Sequence, residues 1–181
     1  MVFGSVAMAT EPIVDEKKEI KTESSKVTWK AYKVAGGHEG TVNLKEGHLL
    51  FDGAKLTGGE FVVDMTSMVT TDDMGDSKAK LEGHLKSDDF FGVETHPTSK
   101  LVITNVKPFN DKSSTVTGDL TIKGITKPIT FVISLFENKA TATLKVDRAK
   151  YDVKYGSGSF FENLGDKTIY DEFDLVVDLA Y

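Results

Sequence analysis

Residues 116–135 read VTGDLTIKGITKPITFVISL, and this run decides the fold. Val116, Leu120 and Ile122 alternate with mostly polar neighbours. After a break, Ile129, Phe131, Ile133 and Leu135 do the same. Successive side chains leave opposite faces of a pleated strand, so this period of two predicts two half-buried strands. Lys123-Gly124 supplies the turn between them. Pro128 has no N–H to give, which suits a strand end, an edge or a bulge.

The alternation recurs in both directions. Val27, Trp29 and Ala31 form one set, Phe61, Val63 and Met65 another, and Leu101 and Ile103 a third. Further on, Ala140, Ala142, Leu144 and Val146 precede Phe173, Leu175, Val177 and Leu179. Thr, Val and Phe are frequent in these runs, as pleated surfaces favour. Turns are expected at Glu46-Gly47, Asp52-Gly53, Gly58-Gly59 and Asn110-Asp111. About eight or nine strands result, which points to an all-β barrel or sandwich. Two stretches break the pattern. Residues 72–94 carry two turns of helix over 77–85, with Asp76 or Ser77 as N-cap. Residues 155–166 contain GSGS and an Asn-Leu-Gly-Asp turn, and with the first excursion they flank or plug a barrel mouth.

The 181 residues suggest one domain with a short extension. Residues 1–24 divide into MVFGSVAMA, read either as a signal-peptide remnant ending in a small-x-small site or as an ordinary terminus, and a disordered charged linker. The domain proper is expected at 25–181. There is no cysteine, so disulfides, thiol nucleophiles and Cys-based zinc sites are excluded. A net charge of -6, with both signs mixed, argues against a nucleic-acid surface. No run of about 18 apolar residues is present, so no stable membrane insertion by a spanning helix is expected.

Three stretches resemble the YceI-like family of lipocalin-like, polyisoprenoid-binding proteins. HLKSDDFF at 84–91 is similar to that family's HL-x-S-x-D-FF segment. TGDLTIKGITKPITF at 117–131 is similar to its tGdLTiKGvTkPv hairpin. KVDRAKYDVKYGSGSFFENLGDKTIYDEF at 145–173 resembles the C-terminal pattern of a Bacteroidetes-type branch. His38 followed by Gly40 fits the family's early His-rich turn. Many relatives carry an Arg-Asp pair just before HL; here Leu81 and Glu82 stand there, so no head-group arginine is carried over to those positions. The resemblance implies an extended antiparallel eight-stranded lipocalin-like barrel with a short helix and loop excursions. It also implies a polyisoprenoid lipid as the bound ligand, in place of a cofactor, and a periplasmic or secreted location.

The residues expected to line such a tunnel are Trp29, Phe61, Val63, Met65, Leu120, Phe131, Ile133 and Leu135 from the strands. Phe90 and Phe91 join them, and His38 is a candidate at the mouth. Eleven Phe and five Met suit a dry, adaptable lining, since neither side chain needs a hydrogen bond. The same residues would serve equally as an ordinary packed core. His38, His48, His84 and His96 lack the spacing of a zinc helix, so no metal is expected. Residues 72–76 lack the ligand spacing of a calcium loop, and GSGS is not a phosphate cradle. No GxSxG elbow occurs. Three readings follow: non-catalytic binding, storage or transport of a prenyl quinone or prenyl phosphate; an envelope stress or interaction protein with a packed barrel; and an enzyme on a hydrophobic substrate. Self-association as a homodimer stays open.

Overall fold

A computed structural model describes residues 15–181. Nine strands form one antiparallel sheet: β1 Glu16–Glu19, β2 Lys26–Lys33, β3 Gly36–Asp52, β4 Lys55–Thr70, β5 Thr98–Asn110, β6 Ser113–Ile122, β7 Ile125–Leu135, β8 Lys139–Asp147 and β9 Ile169–Ala180. One helix, α1 Ser77–Lys86, interrupts them. The sheet order runs β3-β2-β9-β8-β7-β6-β5-β4, and β4 pairs back onto β3. Strands β2 to β9 therefore close an eight-stranded barrel with no free edge.

The deciding run forms β6 and β7 in unbroken register from Ser113↔Ser134 to Ile122↔Ile125. Lys123 and Gly124 both take positive φ, 51° and 73°, as a two-residue hairpin turn of the primed type requires. Asp119 faces Pro128, which lies within β7.

Two expectations need correction. Residues 15–24 are not a linker: β1 pairs with β3 from Glu16↔Phe51 to Glu19↔His48, and Ile20 lies in the core at 7% exposure. A short 3-10 turn, Thr22–Ser24, then leads into β2 farther along the same edge of β3. Charge hid this strand, because its stability comes from unpaired backbone groups on β3 rather than from apolar side chains of its own. The proposed signal remnant at 1–9 lies outside the described residues. The second correction concerns Gly47, Gly58 and Gly59, which sit inside strands rather than in turns. At Gly59 a Cβ would come within 2.7 Å of the His48 carbonyl oxygen. At Gly40 it would meet the Val69 carbonyl oxygen and the Trp29 ring. Close backbone approach is what these glycines permit in the long, coiled pair β3–β4.

The barrel ends differ. At one end the chain turns sharply between β3 and β4, β5 and β6, and β7 and β8. The other end carries the β2–β3 and β6–β7 turns and both long excursions, 71–97 and 148–168. Helix α1 matches its expected span closely, with Asp76 at the N-cap position but making no side-chain cap bond.

Candidate functional site

The inward faces of the barrel strands enclose a cavity. Its volume is about 160 Å³. That is about ten times what one water-sized guest needs.

Each wall is an alternating set. Strand β2 supplies Val27, Trp29 and Ala31, β4 supplies Phe61, Val63 and Met65, and β9 supplies Phe173, Leu175, Val177 and Leu179. Leu120 from β6 and Phe131 and Ile133 from β7 complete the far side. Strand β3 adds Val42 and Leu44, which sequence periodicity missed because its glycines mimic turns.

Below this space the barrel is solid. Leu49, Phe51, Leu56, Val116 and Ala140 are buried there without lining the cavity. Tyr181 closes the floor: its hydroxyl donates to the Phe136 carbonyl at 2.8 Å, and its ring lies 5.7 Å from that of Phe51. Burial raises the Tyr181 pKa, which keeps the phenol neutral.

The mouth lies at the opposite end. Leu85 of α1, Phe90, Phe91, Arg148, Ile169 and Tyr170 line it. Tyr170 is half exposed, so cavity and surface meet there. Phe90 and Phe91 both line the space although they are adjacent. They lie in a turn, where the strand rule that neighbours face opposite ways does not hold. Their backbone is pinned by Phe90 N–H donating to Ser87 and Phe91 N–H to Leu85.

Two expected residues fall outside the site. Leu135 sits at the floor end of β7, opposite Ala140, and packs against the solid core. His38 lies on the β2–β3 hairpin, with Nδ1 2.8 Å from Asp72 and Nε2 3.3 Å from Lys33. It ties that hairpin to the chain leaving β4. His84, at the end of α1, places Nε2 3.2 Å from Asp89 and its ring edge-on to Phe90 and Tyr155.

Sequence reasoning missed Arg148, the only arginine in the chain, because its partners are backbone carbonyls that no residue type announces. It is 4% exposed, beside the cavity, and lies 6.0 Å from the centroid of the Phe90 ring. Nε donates to Tyr170, Nη1 to Val153 and Nη2 to Ile169, at 3.1, 2.9 and 3.0 Å. Asp171 stands 3.6 Å away. Burial pushes the guanidinium pKa down while Asp171 and Asp147 push it back. Its ordinary value is high enough that it stays charged. Most of its donors are spent on carbonyls, so Arg148 clamps the second excursion onto β9. Apart from Arg148 the lining is almost wholly apolar. Ser99 donates to the Thr121 carbonyl at 2.7 Å, and the Trp29 indole N–H is buried without an acceptor. The Lys100 ammonium pairs with Glu60 at 2.8 Å, with both side chains well exposed. Among the described residues no cluster of three metal-ligating side chains occurs, and no helix is long and apolar enough to cross a membrane.

The model of the YceI-like domain matches residues 19–181. A UPF0312 protein of Pseudomonas putida is 34% identical over 131 residues, which is 72% of this chain and 65% of that protein. The chain thus spans just under two thirds of that relative's length. A UPF0312 protein of Shewanella denitrificans is 34% identical over 91 residues, covering 50% of this chain and 46% of that protein. Among solved structures, BcnA of Burkholderia cenocepacia superposes with a TM-score of 0.68 at 23% identity, over 90% of this chain and 99% of that one. A polyisoprenoid binding domain from Saccharophagus degradans gives 0.59 at 14% identity, over 90% and 97%. At these identities the superpositions establish the shared barrel.

Proposed function

The chain belongs to the YceI-like domain family, and from that premise we propose that it binds one isoprenoid-type lipid in its cavity without transforming it. The carrying observation is a cavity with almost wholly apolar walls that is solid at one end and open at the other. The polyisoprenoid binding domain that shares this barrel supports the choice of guest.

Magnitudes agree. Room for about ten small centres corresponds to about two isoprene units inside the walls. At about 0.8 kcal/mol per buried methylene these contribute roughly 6–8 kcal/mol gross, against about 4–15 kcal/mol for association and ordering. A short prenol is therefore held weakly. Useful affinity requires a longer tail, which displaces Phe and Met side chains or continues along the mouth. Affinity rises with chain length, and prenyl quinone and prenyl phosphate are the two head groups to compare.

Catalysis on a hydrophobic substrate would need acids or bases converging inside the space. Among the described residues the one buried ionisable side chain on the lining is Arg148, and it is occupied at the rim. A barrel packed solid is at odds with the cavity itself. We assign the protein to storage or transport of lipid in the periplasm or outside the cell. The test is native mass spectrometry of the purified protein with solvent extraction of what it carries. A prenyl lipid at one per chain is expected. Empty protein that also fails to take up added long-chain prenols would overturn the reading.

A further inference from the structure

A water-insoluble guest has to come from a lipid phase, and the mouth carries a surface suited to one. The geometry points to residues 155–166 as a bilayer-docking surface, through which the barrel takes lipid from the interfacial region of a phospholipid membrane. This rests on the lipid-binding reading above.

Three large aromatics on this excursion stand about half exposed: Tyr155 at 47%, Phe160 at 45% and Phe161 at 49%. They are held in place rather than trailing. Phe160 and Phe161 both donate their N–H to the Ser157 carbonyl, and Ser157 itself is fully buried. Positive φ at Gly156, Asn163 and Gly165 shapes the loop, and Ser157 bridges to Ile169 at the start of β9. Tyr155, with a polar hydroxyl on an apolar ring, suits the headgroup level of a bilayer, and the Phe160 and Phe161 rings suit insertion just beneath it.

The surface is continuous with the cavity. The Tyr155 ring lies 5.3 Å from Phe90, Phe90 lies 6.5 Å from Phe91, and Phe91 lies 6.4 Å from Phe173 inside the barrel. An apolar tail leaving the bilayer at Tyr155 meets aromatic surface all the way in. Charge selects the partner. Of the cations around the loop, Lys150 pairs with Asp147 at 3.8 Å and Lys154 with Asp152 at 2.6 Å, while Lys167 makes no ion pair among the described residues; residues 155–166 themselves carry two acids, Glu162 and Asp166, and no base. The whole chain carries -6, so attraction to an anionic surface is not what holds it. The fit is to a zwitterionic interface by aromatic insertion. Three half-buried rings give weak, reversible binding, comparable with a single acyl anchor.

The opposite end also exposes aromatics, Phe109 at 76% and Phe136 at 54%, and serves as the internal control. The experiment sediments the full chain with phosphatidylcholine vesicles, and in parallel with vesicles containing phosphatidylglycerol. The Phe160→Ser/Phe161→Ser pair is expected to lower partitioning at least about tenfold on both, with little salt dependence. The Phe109→Ser/Phe136→Ser pair is expected to leave it unchanged. A Phe161→Trp variant is expected to be quenched by brominated acyl chains, which checks the placement without disrupting the loop. Uptake of a long-chain prenol added without vesicles is expected to survive in the Phe160→Ser/Phe161→Ser pair, and its failure in the wild type would count against the cavity reading instead. The docking surface is overturned if the wild type ignores both vesicles or binds only the anionic ones in a salt-sensitive way. It is equally overturned if the other end's aromatics carry the binding, or if the Phe160→Ser/Phe161→Ser pair instead breaks up a dimer of this chain.

Discussion

Where β3 turns into β4, the barrel closes with apolar side chains packed against each other: Leu49 is fully buried, Phe51 meets Tyr181, and Lys18 lies 5.0 Å from the Phe51 ring centroid. Where β4 leaves for α1 and β8 for β9, long excursions arch over open space and a single guanidinium ties one of them down. The floor is held by close packing, which resists deformation. The mouth adds to a few buried anchors, Phe90, Val93, Tyr151 and Val153, a set of directed hydrogen bonds, which are strong while satisfied and costly when one partner is lost. A container for a flexible guest needs both: a fixed floor that sets depth and a rim able to move.

Arg148→Ala breaks this contrast most severely. It leaves three carbonyls without their donor and Asp171 without its cation, at an expected cost of about 3–5 kcal/mol. Chemical denaturation measures the total, and hydrogen exchange locates it. Protection is lost first over 149–168 while β6 and β7 stay protected. Equal loss at both ends would mean that the rim and floor form one cooperative unit.

Leu49→Ala probes the floor. It removes a fully buried side chain from the solid core, at an expected cost of about 3 kcal/mol. Guest affinity, measured by titration at a temperature where the variant is folded, stays within about twofold of the wild type. Ala142→Phe does the reverse. Its added ring enters the cavity rather than the core, so stability changes little and affinity for a long-chain prenol falls at least about tenfold. Affinity unchanged by that substitution would place the guest elsewhere.

The smallest effect concerns the outer surface. The Tyr32 hydroxyl donates to Asp174 at 2.8 Å and Lys145 lies 3.1 Å from it, and together they hold the carboxyl below its usual range. A lowered folded pKa contributes stability above the ordinary carboxylate pKa, and that stability is lost as pH falls through the folded value. The stability difference between wild type and Asp174→Asn therefore shrinks on acidification below about pH 4, and thermal melts across that range measure it. Salt reduces the difference further, because the pair is solvent-screened.

What could be read from the chain followed from what each segment depends on. The hairpin of β6 and β7 was legible because its own side chains alternate and its own turn residues fit the turn. Strand β1 was not, because Glu16 to Glu19 take their structure from an edge presented by β3, far along the sequence. Gly47 and Gly59 carry the same letter as a turn glycine, while Gly59 lets two backbones approach and Gly47 leaves room for the Phe61 ring. Most of the cavity wall was legible through period two, yet that pattern cannot distinguish a hollow centre from a filled one. His38 stands at the mouth end, on the β2–β3 hairpin, yet a residue that faces a guest and one that braces a hairpin look alike in sequence; Asp72, 34 residues away, makes it a brace. Arg148 acts through backbone carbonyls, which leave no trace in residue type.

The central claim is that the barrel's hollow half accepts a prenyl chain, and Trp29, the single tryptophan, stands in its wall. Its emission should change saturably on titration with long-chain prenols, ending at one guest per chain, with tighter binding for longer chains and binding at least about tenfold weaker in Ala142→Phe. Emission that stays constant at guest excess, or that changes identically in Ala142→Phe, would contradict it.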